Sequence, residues 1–365
     1  MEEKIYQVAL ELIPGVGNIN AKSLISYSGS AKNIFTSPPA KLQKIPGVGP
    51  KLIEALKSQS VISAAETILQ DCEKQEIQIK HYTDKEYPAR LKQIADSPNI
   101  LYLKGNGEMN PDRTLAIVGT RNVTQYGKDT TDKIAKSCAE VNASVISGLA
   151  YGVDIQAHRT SLTEGIPNIA VLAGGLDKIY PSVHKKVAEQ IMENGLLISE
   201  NPPGIKAEAH FFPARNRIIA GLADATIVVE AAIKGGALIT ANIADSYDRP
   251  VFAVPGDLEH KYSEGCNHLI RNQKAYIYTD MRDVVYQLNW DVETTSQTKK
   301  PRDFSHLTEE EQSICQLLQQ AGKGMAIDEI AWKTQISVNK LASVLLALEF
   351  QGLLKSLPGS KYQLV

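Results

Sequence analysis

Residues 115–127 read LAIVGTRNVTQYG, an apolar run that ends abruptly in a glycine turn and continues into a helix-like stretch. The same pattern of an apolar run and a turn of Gly, Ser or Pro recurs up to residue 257, in SVISGLA, IAVLAGGLD, LLISENPPG, TIVVEAAIKGG and VFAVPGD. Amphipathic stretches of helix length separate these runs. Strands that alternate with helices form a parallel sheet whose carboxyl-end loops emerge along one edge. The sequence therefore predicts an α/β fold with a central, extended Rossmann-like parallel sheet.

The predicted loops at that edge are rich in glycine, and two of them carry a cation. Glycine lets backbone N–H groups approach a ligand closely. The first loop adds Arg121, and the fifth adds Lys234. Because exposed amides and cations together suit phosphate, we expect this edge to bind a phosphate backbone.

The composition limits which kinds of nucleic-acid protein fit. The chain has 365 residues, which favours two or three domains, and 43% of them are hydrophobic, enough for a sizeable core. The formal net charge is -2. A generally basic protein that coats nucleic acid is therefore excluded, and any nucleic-acid site must be a local positive groove.

The cysteines and the N-terminus indicate a cytoplasmic protein. Cys72, Cys138, Cys266 and Cys315 lie far apart without metal-ligand spacing, which is typical of reduced, packed thiols. The first residues, MEEKIYQVAL, lack the pattern of a secretory signal. No apolar run approaches the roughly 18 residues that span a bilayer. We expect a cytoplasmic location, no metal and no membrane contact.

The first 80 residues contain an internal repeat. The segment IPGVG at 13–17 recurs at 45–49, and each copy precedes a helical stretch. The repeat resembles tandem helix-hairpin-helix motifs, whose turns expose amides at a helix start and can grip phosphate without reading sequence. The same hairpin often serves only as a packing module, so a second DNA site here stays one of two alternatives. Its residues would be Gly15, Gly17, Lys22, Gly47, Gly49 and Lys51.

Shifts in composition divide the chain into domains. Residues 1–80 are expected to form the helical domain and 81–290 the Rossmann-like domain, with 81–113 as an extended, irregular leading segment. The polar stretch 291–306 is nearly devoid of aliphatic residues, which marks a linker. Residues 307–365 predict three helices followed by two short strands around a turn, the pattern of a winged helix.

The segment FFPARNR, residues 211–217, carries the strongest site signal. A proline can begin a helix, and this one places Arg215, Asn216 and Arg217 in the first turn. Because the helix dipole disfavours cations there, the arginines need a partner. That partner is either a bound anion or a buried carboxylate such as Glu230. One of the two phenylalanines, Phe211 or Phe212, could stack on a base while the other packs in the core.

We hypothesise that Arg121, Arg215 and Arg217 form one electropositive pocket at the carboxyl edge. The loop 119–127 lacks the spacing of a dinucleotide fingerprint or a P-loop, so ATP, NAD and other cofactors are not expected. Thr124 could cap the next helix or bind phosphate. Neither Ser147 nor His158 has a partner that suggests catalysis. The expected DNA contacts are Gly119, Arg121, Thr124, Tyr126, Gly127, Ser147, Gly148, Phe212, Arg215, Asn216, Arg217, Lys234, Gly235 and Gly236.

In order and spacing, the segments GTRNVTQYG, SGLAYGVDIQAH, IAVLAGGLDKIYP, FFPARNRIIAG and VVEAAIKGGALITA resemble the DNA-processing protein A (DprA/Smf) family. The GxRxxSxYG motif of that family falls on 119–127, and its FPxRNR motif falls on 212–217. Thr124 replaces the usual serine and keeps a hydroxyl. Gly235 stands where the family commonly has a serine, so one hydroxyl is lost there.

The resemblance implies a binding protein and not an enzyme. Family members bind single-stranded DNA during natural transformation, protect it and help to load the RecA recombinase onto it. They act as dimers. The implied partners of this chain are therefore single-stranded DNA, RecA recombinase and a second copy of itself.

Two other functions stay open from the residues alone. Related Rossmann-like enzymes, the nucleoside-monophosphate phosphoribohydrolases, use a PGGxGTxxE loop, but the matching stretch here, IKGGALITANIA, lacks the catalytic acid. A sequence-specific transcription factor would read DNA with the winged helix. Its expected recognition helix, VNKLASVLLALEFQG, has one lysine and few side chains that read bases.

Overall fold

A computed structural model gives the fold and describes residues 2–290, 307–321, 325–351, 353–357 and 361–364. The chain forms two compact units, Met1–Val292 and Glu293–Val365. The predicted linker lies outside the described residues, as does the turn between the last two strands.

A nine-stranded sheet forms the centre of the first unit, and it confirms the predicted Rossmann-like fold. Its strands are β1 (Gln78–His81), β2 (Ile100–Gly105), β3 (Thr114–Val118), β4 (Ser144–Ser147), β5 (Asn168–Val171), β6 (Leu196–Ser199), β7 (Ala225–Val228), β8 (Val251–Ala253) and β9 (Tyr276–Ile277). Their order is β1-β2-β6-β5-β4-β3-β7-β8-β9. The run from β6 to β9 is parallel, whereas β2 is antiparallel to both β1 and β6.

The chain reverses its direction across the sheet between β3 and β7. From β3 it passes through β4 and β5 to β6, then returns to place β7 beside β3, with Val118 opposite Val228. It continues through β8 to β9. In doubly wound sheets, ligands bind outside the carboxyl ends of the strands where the strand order reverses. The space above β3 and β7 is therefore the expected ligand crevice.

Helices cover both faces of the parallel strands β3 to β8, which explains why those strands are buried along their length, whereas both residues of the edge strand β9 are exposed. Every residue of β3 is buried. The helices of this unit are α1 (Glu2–Glu11), α2 (Asn18–Ser28), α3 (Ala31–Thr36), α4 (Pro39–Leu42), α5 (Pro50–Leu56), α6 (Gln59–Lys74), α7 (Ala89–Lys92), α8 (Gln125–Glu140), α9 (Val153–Thr163), α10 (Lys185–Asn194), α11 (Phe211–Leu222), α12 (Gly236–Ser246), α13 (Glu264–Arg271) and α14 (Met281–Gln287). Buried residues of α8, α9 and α14 share one core cluster, and those of α7, α11, α12 and α13 share another.

The N-terminal helices share a core with the outer strands of the sheet. Val8 of α1 and Cys72 of α6 belong to the same buried cluster as Tyr102 of β2. The two IPGVG turns adopt one conformation, since φ is +85° at Gly15 and +83° at Gly47. This left-handed region favours glycine, so the sequence repeat is also a structural repeat.

The second unit has the predicted winged-helix fold. It consists of α15 (Glu309–Ala321), β10 (Met325–Ala326), α16 (Ile327–Thr334), α17 (Val338–Phe350), β11 (Leu354–Leu357) and β12 (Lys361–Leu364). The strands form a small sheet in the order β10-β12-β11. Ile314, Ile330 and Leu345 are fully buried in its core. Among the described residues of both units, no helix is long and apolar enough to cross a membrane.

A cluster of charges joins the N-terminal helices to the sheet. The Lys22 ammonium donates to the Ser97 carbonyl at 2.8 Å, and Arg217 of α11 pairs with Glu200. Burial raises the pKa of the partly buried Glu11 carboxyl to about 7, and nearby Glu200 adds to the shift. Asn99, Arg217 and Lys22 oppose it. Glu11 therefore takes up a proton in the folded protein at a pH where an exposed glutamate stays ionised.

This raised pKa predicts a pH-dependent stability. The folded state holds the Glu11 proton more tightly than the unfolded state does. Protonation of Glu11 therefore makes its full contribution to the free energy of unfolding below about pH 4.5, and this contribution is lost as the pH rises through about 7. Glu11→Gln changes the free energy of unfolding by an amount that should depend on pH. The change should be about 2–3 kcal/mol more favourable at pH 8 than at pH 4.5. Urea denaturation at both pH values measures the difference. The exposed Glu66→Gln is the control, and an equal effect of Glu11→Gln at both pH values would contradict the assignment.

Candidate functional site

A cavity of about 380 Å³ opens at the carboxyl edge of the sheet, where the strand order reverses. Four segments line it: the loops after β3 and β4, the loop after β7 with the start of α12, and the first turns of α11. The cavity thus gathers loops that are far apart in sequence. The predicted contacts that line it are Gly119, Arg121, Phe212, Arg215, Asn216, Gly235 and Gly236.

Arg215 is the buried cation of this cavity. It is 5% exposed, and its Nη1 donates to the carbonyls of Gly148 and Val171, each at 2.6 Å. Its Nε donates to Oδ1 of Asn216 at 3.1 Å. Burial lowers the pKa of Arg215 to about 10, although the nearby Asp154 opposes the shift. The guanidinium is therefore charged at neutral pH and fixed in orientation.

Arg121 is the exposed cation. Its guanidinium lies 5.2 Å from the centre of the Phe212 ring, and that of Arg215 lies 6.0 Å from the same ring. Within the described residues, Arg121 has no carboxylate partner at ion-pair distance. Two guanidiniums and one aromatic ring therefore meet in the cavity, and one of the two cations is available to an anion from solvent.

The hypothesis that all three arginines share this pocket is wrong for Arg217. That side chain pairs with Glu200, and its Nη1 donates to the Asp96 carbonyl at 2.5 Å. Side chains two residues apart on an α-helix differ in direction by about 200° about the helix axis. Arg215 and Arg217 therefore point to opposite sides of α11. Arg217 therefore links α11 to the loop after β6 and to the segment that precedes β2, and it does not line the cavity.

The alternative that Glu230 is the buried partner of an arginine in the 211–217 segment is wrong, because Glu230 binds Thr124. Its buried carboxylate accepts hydrogen bonds from the backbone N–H and the hydroxyl of Thr124, at 2.9 and 2.6 Å. The Thr124 oxygen also caps α8 by accepting from the Gly127 N–H at 3.1 Å. A side chain at Gly127 would collide with the Glu230 carboxylate. Thr124 and Gly127 therefore hold the Arg121 loop in place, and neither lines the cavity.

Ser147 and Gly148 are also supports and not lining residues. Ser147 is fully buried and donates its hydroxyl to the Ile117 carbonyl at 2.6 Å. The Gly148 N–H donates to the Asp154 carboxylate at 3.1 Å, so it is not offered to a ligand. A Cβ at Gly148 would overlap the guanidinium of Arg215. This glycine is needed to admit the arginine.

Of the remaining predicted contacts, some line the cavity and others lie on the surface outside it. Gly235 precedes α12 as its N-cap, without a side-chain cap, and both Gly235 and Gly236 line the cavity. Lys234 is exposed but does not line it. Tyr126 is 52% exposed and lines a separate cavity, where its hydroxyl donates to the Pro255 carbonyl at 3.0 Å.

Sequence reasoning missed three polar residues that line the cavity, namely Thr120, Asp154 and Thr240. Asp154 lies beside Arg215 and accepts hydrogen bonds from the backbone N–H groups of two residues in the loop after β4. Burial raises its pKa, while Arg215 and those amides work against the shift. Thr240 lies one turn into α12. Its only sequence signal is its spacing from Gly236, which places it on the same side of the helix.

The two N-terminal turns lie side by side. A groove of about 450 Å³ is lined by Gly15, Asn20, Gly47, Gly49 and Lys51. Gly17 is the N-cap of α2 but is not part of the groove lining. Lys22 is engaged with Ser97 and so is unavailable as the predicted phosphate contact. The groove keeps a single cation, Lys51, among its described lining residues.

Comparison with known proteins gives the chain its family. A model of DNA recombination-mediator protein A matches residues 78–289, and a model of the DprA winged helix domain matches residues 298–360. The chain belongs to the DNA-processing protein A family. The described residues of this family member contain no cluster of three or more His, Cys, Asp or Glu side chains that could hold a metal ion.

Individual relatives support this assignment along nearly the whole chain. Protein Smf of Synechocystis sp. is 32% identical over 394 aligned positions, which cover 99% of this chain and 98% of the relative. DNA processing protein DprA of Bacillus subtilis is 39% identical, over 54% of this chain and 67% of the relative. The crystal structure of DprA from Streptococcus pneumoniae superposes with a TM-score of 0.62 at 29% identity, covering 79% of this chain and 98% of that one.

A structure of DNA processing protein A from Helicobacter pylori has a TM-score of 0.53 at 30% identity. It covers 59% of this chain and 96% of that chain. The structure was described for the single-stranded DNA binding mode of the Helicobacter pylori protein.

The Glu230–Thr124 contact yields a test of how the Arg121 loop is held. Thr124→Ala removes a helix cap and leaves one buried carboxylate oxygen without its donor, so it should lower the free energy of unfolding by about 1–3 kcal/mol. Thr124→Ser keeps the hydroxyl and should stay within about 0.5 kcal/mol of the wild type. Denaturant titrations measure both values. Equal losses in the two variants would show that the threonine methyl group, and not the hydroxyl, fixes the loop.

Proposed function

We propose that the cavity around Arg121, Phe212 and Arg215 binds the sugar–phosphate backbone of single-stranded DNA. The observation that carries this proposal is the convergence of two guanidiniums on one aromatic ring at the reversal point of the sheet, 5.2 and 6.0 Å from the centre of the Phe212 ring. Guanidiniums bind phosphate oxygens through paired hydrogen bonds. The α12 N-terminus adds backbone donors and the positive end of a helix dipole.

The same geometry favours an unpaired strand over a duplex. Bases in a duplex stack on each other and do not present a free face to a protein ring, whereas a single strand can stack a base on Phe212. The described lining offers few side chains that could read base edges, so binding should not depend on sequence. The Helicobacter pylori relative, studied for its single-stranded DNA binding mode, supports this preference.

We further infer the role that the family implies. The protein would protect incoming single strands during natural transformation, act as a homodimer in the cytoplasm and help to load the RecA recombinase. No cofactor enters this account. The N-terminal groove with Gly15, Gly47, Gly49 and Lys51 would be a secondary contact with the phosphate backbone.

We propose binding without catalysis at this cavity. Asp154 is the one carboxylate among its described lining residues, and it already accepts two backbone hydrogen bonds beside Arg215. A phosphoribohydrolase would need a free acid near the scissile bond. Incubation of the protein with AMP should release no adenine, and release above the rate without protein would restore the enzymatic alternative.

The DNA proposal is tested on Arg121, because Arg215 is part of the core. Arg121→Ala should weaken the binding of an oligothymidylate by about tenfold, since it removes a charged contact with phosphate. The slope of log affinity against log salt should fall by roughly 0.7, the value for one phosphate of a single strand. Fluorescence anisotropy measures both quantities.

Two variants sharpen this experiment. Arg121→Lys keeps the charge and should retain the salt slope while losing part of the affinity, because an ammonium lacks the planar fork. Arg271→Ala removes another exposed charge, at the end of α13, and is the matched control. If Arg121→Ala leaves the affinity unchanged, or if Arg271→Ala lowers it equally, the proposal that this cavity binds single-stranded DNA is wrong.

A further inference from the structure

An exposed tyrosine continues the line of groups in the cavity. Tyr180, in the loop after β5, is 53% exposed. Its ring meets the Phe212 ring edge-on, with 5.8 Å between the centroids and 64° between the planes. The guanidinium of Arg121 lies 5.2 Å from the same Phe212 ring. Arg121, Phe212 and Tyr180 therefore form a continuous row from the loop after β3 to the loop after β5.

The exposure of Tyr180 is not explained by the needs of the fold. Half of the ring faces solvent, and its hydroxyl makes no hydrogen bond within the described residues. Tyr151, in the loop after β4, is 49% exposed between the same two loops. Two exposed rings along one edge of a cationic cavity resemble the stacking platforms of single-strand binding proteins.

Charge distinguishes the two directions in which a strand could leave the cavity. The loop after β5 and the start of α10, residues 174–186, contain Lys178, Lys185 and Lys186 against one acid, Asp177. On the other side, residues 255–264 contain Asp257, Glu259 and Glu264 against one lysine, Lys261. The formal charges are thus +2 and -2. A polyanion is attracted to the first side and repelled by the second.

We infer that the single strand leaves the cavity over the loop after β5, and that a base beyond the one on Phe212 stacks on Tyr180. The exposed Lys178 and Lys186 would then face its phosphates. This inference rests on the proposed binding of single-stranded DNA and adds to it a direction and a second stacking platform.

The test compares tyrosine variants on two lengths of oligothymidylate. Tyr180→Leu keeps an apolar side chain against Phe212 but loses the π face, and Tyr180→Phe keeps the face. For an oligonucleotide of about 12 nucleotides, Tyr180→Leu should weaken binding about tenfold, and Tyr180→Phe should leave it unchanged. For one of about four nucleotides, which fills little more than the cavity, the loss should be less than about threefold. Tyr286→Leu, at a residue that is 83% exposed on α14, is the control.

Charge reversal tests the direction independently. Lys178→Glu with Lys186→Glu should weaken binding of the longer oligonucleotide and lower its salt slope, whereas Asp257→Asn with Glu259→Gln should change neither by more than about twofold. Two results overturn the inference: wild-type affinity in Tyr180→Leu, or an equal loss for both lengths, which would mean that Tyr180 only supports Phe212. If the wild-type chain itself fails to bind oligothymidylate, the proposed function fails, and that outcome is distinct from either result.

Discussion

The site depends on one buried contact, in which the Arg215 guanidinium donates to the carbonyls of Gly148 and Val171. These carbonyls end neighbouring parallel strands, so the sheet itself fixes the direction of the charge. A buried cation is costly unless it is hydrogen-bonded and balanced, and Asp154 supplies the balance. The absence of a side chain at Gly148 leaves the space that the guanidinium occupies. A rigid positive charge at the bottom of an open cavity is preorganised for an anion, because little conformational freedom is lost on binding.

The second arginine works in a complementary way. Arg121 is exposed and therefore accessible to a ligand, and its loop is fixed by Glu230, which accepts hydrogen bonds from the backbone and the hydroxyl of Thr124. The family motif at 119–127 therefore combines residues that line the cavity, among them Gly119 and Arg121, with Thr124 and Gly127, which hold the loop. The motif at 212–217 is divided in the same manner, because Phe212 and Arg215 line the cavity while Arg217 connects α11 to Glu200 and Asp96. A motif residue can thus be essential to the site without contacting the ligand.

The parallel strands β3 to β8 could be predicted from the sequence because each is a short apolar run that ends in a turn of Gly, Ser or Pro. The cavity's glycines and its two main arginines were also predictable, since carboxyl-end loops share one edge. What failed was the direction of individual side chains. Ser147 occupies the last position of β4 and turns inward, and Arg217 lies across α11 from Arg215, which helix geometry alone could have indicated. The roles of Glu230 and Asp154 depend on contacts between residues up to 106 positions apart, and no local pattern reveals those.

The most direct test of this account is a crystal structure of the protein with an oligothymidylate. The account predicts a phosphate oxygen within hydrogen-bond distance of Arg121, and close to the Arg215 guanidinium and the α12 N-terminus, with a base against Phe212. A strand bound on another surface, with this cavity still filled by water, would contradict the central claim.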